Sequence, residues 1–210
     1  MQDDRMIGRL RALALAALLA AAALTVLVVA RQKTHNSGLE HLGAVPAFHL
    51  TAADGRPFDG AQLAGKVWVA SFVYSTCKTS CPMLQSQMMR ISKGLPAGDA
   101  YALVSVTVDP AKDTPQALLA YAKKLGVDDP RWAFLTGSPA DIKALVVGGF
   151  KLAALPAEAA SDKRPDPEII HSSRLALVDK HGQIRGYYDG LLSDSVSAIR
   201  NDAQRLARED

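Results

Sequence analysis

The longest apolar stretch of the chain comes first. Residues 12–30 read ALALAALLAAAALTVLVVA, nineteen positions without a charge, Gly, Pro or amide. As a helix this run spans roughly 28 Å, about the hydrocarbon thickness of a bilayer. Gln32 to Val45 then carries no sustained period and predicts a linker. Phe48-His49-Leu50, the turn pair Asp54-Gly55 and Phe58 predict a short hairpin. The runs Val67 to Tyr74 (VWVASFVY) and Tyr101 to Val108 (YALVSVTV) are rich in β-branched and aromatic residues and predict buried strands.

Helical patterns follow both strands. Leu84, Met88, Ile91 and Leu95 recur at helical spacing after Pro82. Thr114-Pro115 is a cap followed by a first-turn proline, leading into Leu118, Leu119, Ala122 and Leu125. Ser138-Pro139 repeats the device, with Asp141 three residues after the cap and Ile142, Leu145 and Val146 behind it. Leu175 to Val178 and Ile184 to Tyr188 flank Asp179-Lys180-His181-Gly182, a hairpin signal. Val196, Ile199, Ala203 and Leu206 give a closing amphipathic helix. Strand–helix alternation, then a hairpin and a helix, predicts an α/β domain whose mixed sheet is covered on both faces. The stretch Leu155 to Pro167, with three prolines, predicts an exposed loop.

Composition narrows the function classes. With 49% hydrophobic and 21% charged residues in 210, a packed core is available and wholesale disorder is excluded. A net charge of +3 is too small and too dispersed for nucleic-acid binding. Two cysteines exclude a disulfide-stapled mini-protein. The flanking charges, Arg5, Arg9 and Arg11 before the apolar run against Arg31 and Lys33 after it, favour an N-terminus inside only slightly. The expected organisation is a cytoplasmic 1–11, a transmembrane anchor at 12–30, a linker at 31–45 and a folded domain at 46–210. A cleaved signal ending near Val28 and Ala30 is the alternative, disfavoured by the length of the apolar run. Asp3 and Asp4 argue against a mitochondrial transit peptide. The expected location is a bacterial inner membrane, single-pass, with the domain in the periplasm.

The chemistry concentrates at Cys77-Lys78-Thr79-Ser80-Cys81-Pro82, between the first long strand and a helix. Open α/β sheets place their sites at this carboxyl edge. Cysteines four apart share a face if the segment takes a helical turn, so they can grip a soft metal ion or, after rearrangement, form a disulfide. Three intervening residues suit a chelate better than the two usual in redox pairs. Lys78 and a nearby helix N-terminus are expected to favour the thiolate. A structural disulfide stays open on spacing alone, and so does a thiol–disulfide exchange site. A lone His171 beside Ile169 and Ile170 reads more readily as a strand residue than as a ligand. His35, His41, His49 and His181 read as solvated, Met88 as core, and Trp68 and Trp132 as core or edge aromatics. Met83 is the one thioether close to the cysteines.

These motifs, with Ser105-Val106-Thr107-Val108-Asp109-Pro110, Asp113-Thr114-Pro115 and His171-Ser172 ahead of Leu177-Val178-Asp179, resemble the SCO/SenC family over roughly residues 46–206. Members are copper-binding assembly factors for cytochrome c oxidase. The resemblance implies a thioredoxin-like fold with an extra β-hairpin. It implies copper, as Cu(I) or Cu(II), held by the Cys77 and Cys81 thiolates with the His171 imidazole. It also implies delivery to the copper A centre of cytochrome c oxidase subunit II, with no catalytic residues. The alternative it carries is a membrane-tethered thiol–disulfide oxidoreductase acting through Cys77 and Cys81. Asp109 and Asp113 match an acidic loop motif with a supporting role. The chain departs from the pattern at Lys78, commonly Pro, and at Glu168-Ile169-Ile170, where an aromatic residue and an Asp usually precede the His-Ser pair. Outside the cytoplasm a close cysteine pair tends toward oxidation, so either function calls for a periplasmic thiol reductant as partner.

Overall fold

Every residue of the run 67–73 is buried, because this strand lies inside a sheet covered on both faces. The structure is a computed structural model and describes residues 38–78, 80–152 and 173–209. In chain order it contains β1 (Gly43–Ala44), β2 (His49–Ala52), β3 (Pro57–Asp59), a 3-10 turn at Gly60–Leu63, β4 (Val67–Val73) and α1 (Ser80–Gly94). Then follow β5 (Tyr101–Thr107), α2 (Pro115–Lys124), β6 (Trp132–Thr136) and α3 (Pro139–Lys143), which runs into a π-helical stretch at Ala144–Gly149. The chain closes with β7 (Arg174–Val178), β8 (Gln183–Asp189) and α4 (Ser193–Ala207).

The described strands form one sheet in the order β1-β8-β7-β4-β5-β6-β2-β3. Pairings of β4 with β5 and β5 with β6 are parallel; β7 runs antiparallel to β4, as do the outer hairpins to their neighbours. Strand period two divides the core. Val67, Val69 and Val73 face a layer with Leu84, Met88 and Ile91 of α1, Leu118 and Tyr121 of α2, and Ile199 and Leu206 of α4. Trp68, Ala70 and Phe72 face Ile142, Leu145 and Phe150 on the other side. The mixed, doubly covered α/β architecture expected from the sequence is the one observed. Trp68, Trp132 and Met88 are core residues as expected.

The helix caps follow their chemistry. Thr114 accepts from the Ala117 N–H at 3.2 Å with Pro115 behind it, and Ser138 accepts from the Asp141 N–H at 3.1 Å. Leu119 departs from the expected apolar face of α2 and is exposed, since Leu118 and Ala122 already fill the sheet side. Beneath α1 lies a buried polar knot. Ser71 and Ser105 share a hydrogen bond of 2.8 Å, the Trp132 indole donates to Ser105 at 2.9 Å, and the Gln85 amide bridges both serines.

Two features fix which end of the sheet is which. At the end where β4 begins, the turn 179–182 joins β7 to β8, and Gly182 takes the left-handed conformation (φ 73°) that a residue with a Cβ resists. There the β8 bulge between Leu177 and Val178 turns Arg185 inward. Its guanidinium donates to Asp179 at 2.9 Å and to the Leu39 and Glu40 carbonyls at 3.1 and 3.3 Å. Gly43–Ala44, without any period in the sequence, adds to the sheet at this same end, so the linker region is bound from Leu39 onward. At the opposite end, where β4 leaves the sheet, Gly190 donates to the Ser173 carbonyl at 2.7 Å. A Cβ there would meet Leu84 of α1 and that same carbonyl. The run 12–30, His35, the loop 155–167 and His171 lie outside the described residues. Among the described residues, no helix is long and apolar enough to cross a membrane.

Candidate functional site

β4 ends at Val73, and the chain turns through Ser75 and Thr76 before α1 begins at Ser80. The bend puts Cys77 and Cys81 beneath the surface, 7% and 4% exposed, as free thiols. Cys77 lies ahead of the helix rather than within it. Its Sγ accepts the Cys81 backbone N–H at 3.3 Å, a first-turn donor with no intrahelical acceptor. Cys77 N–H in turn donates to the Tyr74 carbonyl at 3.2 Å. Pro82 sits in the first turn of α1, where a missing N–H costs nothing.

The electrostatics correct one expectation. Burial pushes the Cys81 thiol up to about 12, and its hydrogen bond with Cys77 adds to the rise. Lys78 is exposed and its charge is spent in water, while desolvation acts directly on the sulfur. Cys81 is therefore held protonated in the metal-free domain. A soft cation taking the proton's place would neutralise the thiolate charge that this dry setting disfavours.

Of the two acids in the loop motif, Asp113 gives the structural support expected of it. Asp113 is fully buried. It accepts the Ser75 N–H at 3.0 Å, the Ser75 hydroxyl, and the Thr107 hydroxyl at 2.5 Å. The end of β5 is thereby fastened to the loop that carries Cys77. Asp109 accepts from the Asp113 N–H at 2.9 Å through its carbonyl and faces Lys112 at 3.5 Å. Replacing Asp113 with Ala leaves three donors without an acceptor and is expected to cost about 3 kcal/mol. Urea unfolding of the reduced protein measures this, and Asp113→Asn, which keeps one acceptor oxygen, is expected to lose less.

Of the other sequence-predicted groups, Met83 is 55% exposed on the first turns of α1, close in sequence to the sulfurs. His41, His49 and His181 are exposed, as expected; His49 stands 3.5 Å from Asp59, far along the sheet from the thiols. Among the described residues, no three His, Cys, Asp or Glu side chains converge as a metal site. Sequence reasoning gave no sign that the buried Tyr121 hydroxyl would lack a hydrogen-bond partner among the described residues. This residue is spaced three residues after Leu118 on the buried face of α2, and nothing in that helical period singles it out from a packing residue.

A parallel-centred sheet with helices on both faces and a buried thiol pair at a strand-to-helix bend defines a thioredoxin-like dithiol protein. The model of the SCO1/SenC family matches residues 37–207, and the chain belongs to that family. The SCO1 protein homolog of Bacillus subtilis (strain 168) is 30% identical over 164 residues, covering 76% of this chain and 81% of that one. BsSco, a member of the Sco family of cytochrome c oxidase assembly proteins in which a disulfide switch is identified, aligns with a TM-score of 0.68 at 28% identity, over 80% of this chain and 95% of that one. ScoI of Bradyrhizobium japonicum, with copper bound, shares the fold at a TM-score of 0.64 and 22% identity, over 78% of this chain and 99% of that one.

Proposed function

We propose that this protein is a copper chaperone that takes copper as cargo on the Cys77 and Cys81 sulfurs and the His171 imidazole. It passes the ion to the copper A centre of cytochrome c oxidase subunit II. The observation that carries this reading is the pair of free, buried thiols at one bend of a SCO1/SenC chain. Two sulfurs select a soft ion such as copper(I), and an added imidazole also accommodates copper(II). Support for His171 is connectivity. It stands two residues before Ser173, which bonds Gly190 at the end of the sheet where β4 delivers the cysteines. Residues 12–30 would hold the chain in the bacterial inner membrane with the domain in the periplasm, where a thiol reductant keeps the pair open.

The second reading is a tethered thiol–disulfide reductant. The hydrogen bond between the two thiols and the disulfide switch of BsSco favour it. His171→Ala separates the two. In the purified full-length chain, the substitution is expected to abolish stable copper loading, measured by metal analysis, while thiol–disulfide exchange stays within about twofold of the parent. Full copper occupancy together with lost exchange would reverse the assignment.

A further inference from the structure

Cys77 and Cys81 hang from different parts of the fold. Cys77 belongs to the sheet, because Asp113 fastens Ser75 of its loop to Thr107 at the end of β5. Cys81 belongs to α1. Most of what joins α1 to the sheet is apolar, with Leu84, Met88 and Ile91 in one layer with Val69, Val73 and Leu103. Such packing tolerates a small slide or roll of the helix. Gln85, fully buried and one turn after Cys81, is different in kind. Its amide donates to Ser71 of β4 at 3.4 Å and accepts from Ser105 of β5 at 3.3 Å. Ser71 and Ser105 are register partners bonded at 2.8 Å, and the Trp132 indole of β6 holds Ser105 at 2.9 Å. Ser71 falls between Val69 and Val73 on the sheet face toward α1, where another valine would bury more apolar surface. Hydrogen bonds in a dry layer fix one register, which apolar contacts do not.

We infer that Gln85 is a positioning residue that keys α1 to β4 and β5 in one register and so sets the spacing of Cys81 from Cys77. Gln85 stands about 6 Å along the helix from Cys81. Ser71 stands about 7 Å along the strand from Val73, where the chain leaves toward Cys77. A roll or slide of α1 at this point therefore moves the Cys81 backbone N–H, which lies 3.3 Å from the Cys77 Sγ. Register is the best-attested use of a satisfied polar group in a core, where an apolar replacement is often as stable. The consequence for copper rests on the function proposed above; the spacing of the two sulfurs does not.

Gln85→Met in the full-length chain tests it. The change keeps the volume and orphans no polar atom, since Ser71 and Ser105 still bond each other and Trp132 still donates to Ser105. The urea midpoint of the reduced, metal-free protein is expected to equal or exceed the parent's. Equilibration with glutathione, in which the two thiols and one glutathione disulfide give a Cys77–Cys81 bond and two glutathiones, reads the effective concentration of one sulfur for the other. At fixed pH that equilibrium constant is expected to fall at least about threefold, as the pair loses its preorganisation. Copper(I) affinity, by competition with a chromophoric chelator, is expected to fall about tenfold, the usual loss when a group that orients a ligand is removed. Ile91→Val, an apolar cut further along the buried face of α1, is expected to lower the urea midpoint and leave the glutathione equilibrium in place. An unchanged equilibrium in Gln85→Met overturns the inference, and so does an equal shift in Ile91→Val, the mark of general packing. Should Gln85→Met fail to fold, Ser71→Ala carries the same expectation and the same refutation. If the parent binds no copper while the equilibrium of Gln85→Met still falls, the positioning role stands and the copper reading fails.

Discussion

Cys81→Ala is expected to reduce copper(I) retention by more than about a hundredfold while leaving the domain folded. Loss of a group that merely orients a ligand already costs about 10–100-fold in metal affinity, and here one of two soft donors is removed outright. The remaining Cys77 sulfur still accepts the backbone N–H of residue 81, so the start of α1 keeps its cap. The fold loses only a small buried sulfur, about 1 kcal/mol by the usual cost of core truncation. Chelator competition reads the first effect, and circular dichroism during heating reads the second. Parental copper affinity in this variant would mean that the pair does not grip the ion.

The largest loss of stability is expected from Arg185→Ala. The Asp179–Arg185 pair is almost wholly buried, at 2.9 Å. Removing one partner leaves an uncompensated charge in the interior, at a cost of about 3–5 kcal/mol. The Leu39 and Glu40 carbonyls lose their donor as well, so proteolysis between residues 38 and 45 is expected to accelerate with the drop in stability. The double variant Asp179→Asn with Arg185→Met removes both charges and is expected to recover part of the loss in urea unfolding. A single variant within about 1 kcal/mol of the parent would show that the pair is dispensable.

The strands and helices were legible where a periodic pattern and a cap agreed. VWVASFV is buried throughout and lies between two core layers, and Thr114-Pro115 and Ser138-Pro139 open helices where their side chains can accept a backbone N–H. Val196, Ile199, Ala203 and Leu206 are all buried along α4. Gly43–Ala44 was not legible, because a two-residue strand is made by its partner β8 and has no period of its own. The thiol pair was visible as a motif, but its protonation was not. Lys78 suggests a thiolate by proximity in sequence, whereas the tertiary structure buries the sulfurs and leaves the lysine in solvent. Tyr121 was hidden for a related reason. A buried aromatic at helical spacing reads as packing, and only three-dimensional accounting reveals a hydroxyl without a hydrogen-bond partner among the described residues.

The position of Leu39 gives the domain two distinct poles. The chain joins the folded unit at the end where β4 begins, and the thiols stand at the end where it finishes. Seven strand residues put roughly 23 Å between these poles. Substitutions where the chain joins at Leu39 therefore fall at the pole away from the thiols, and the two ends of the domain can be altered independently.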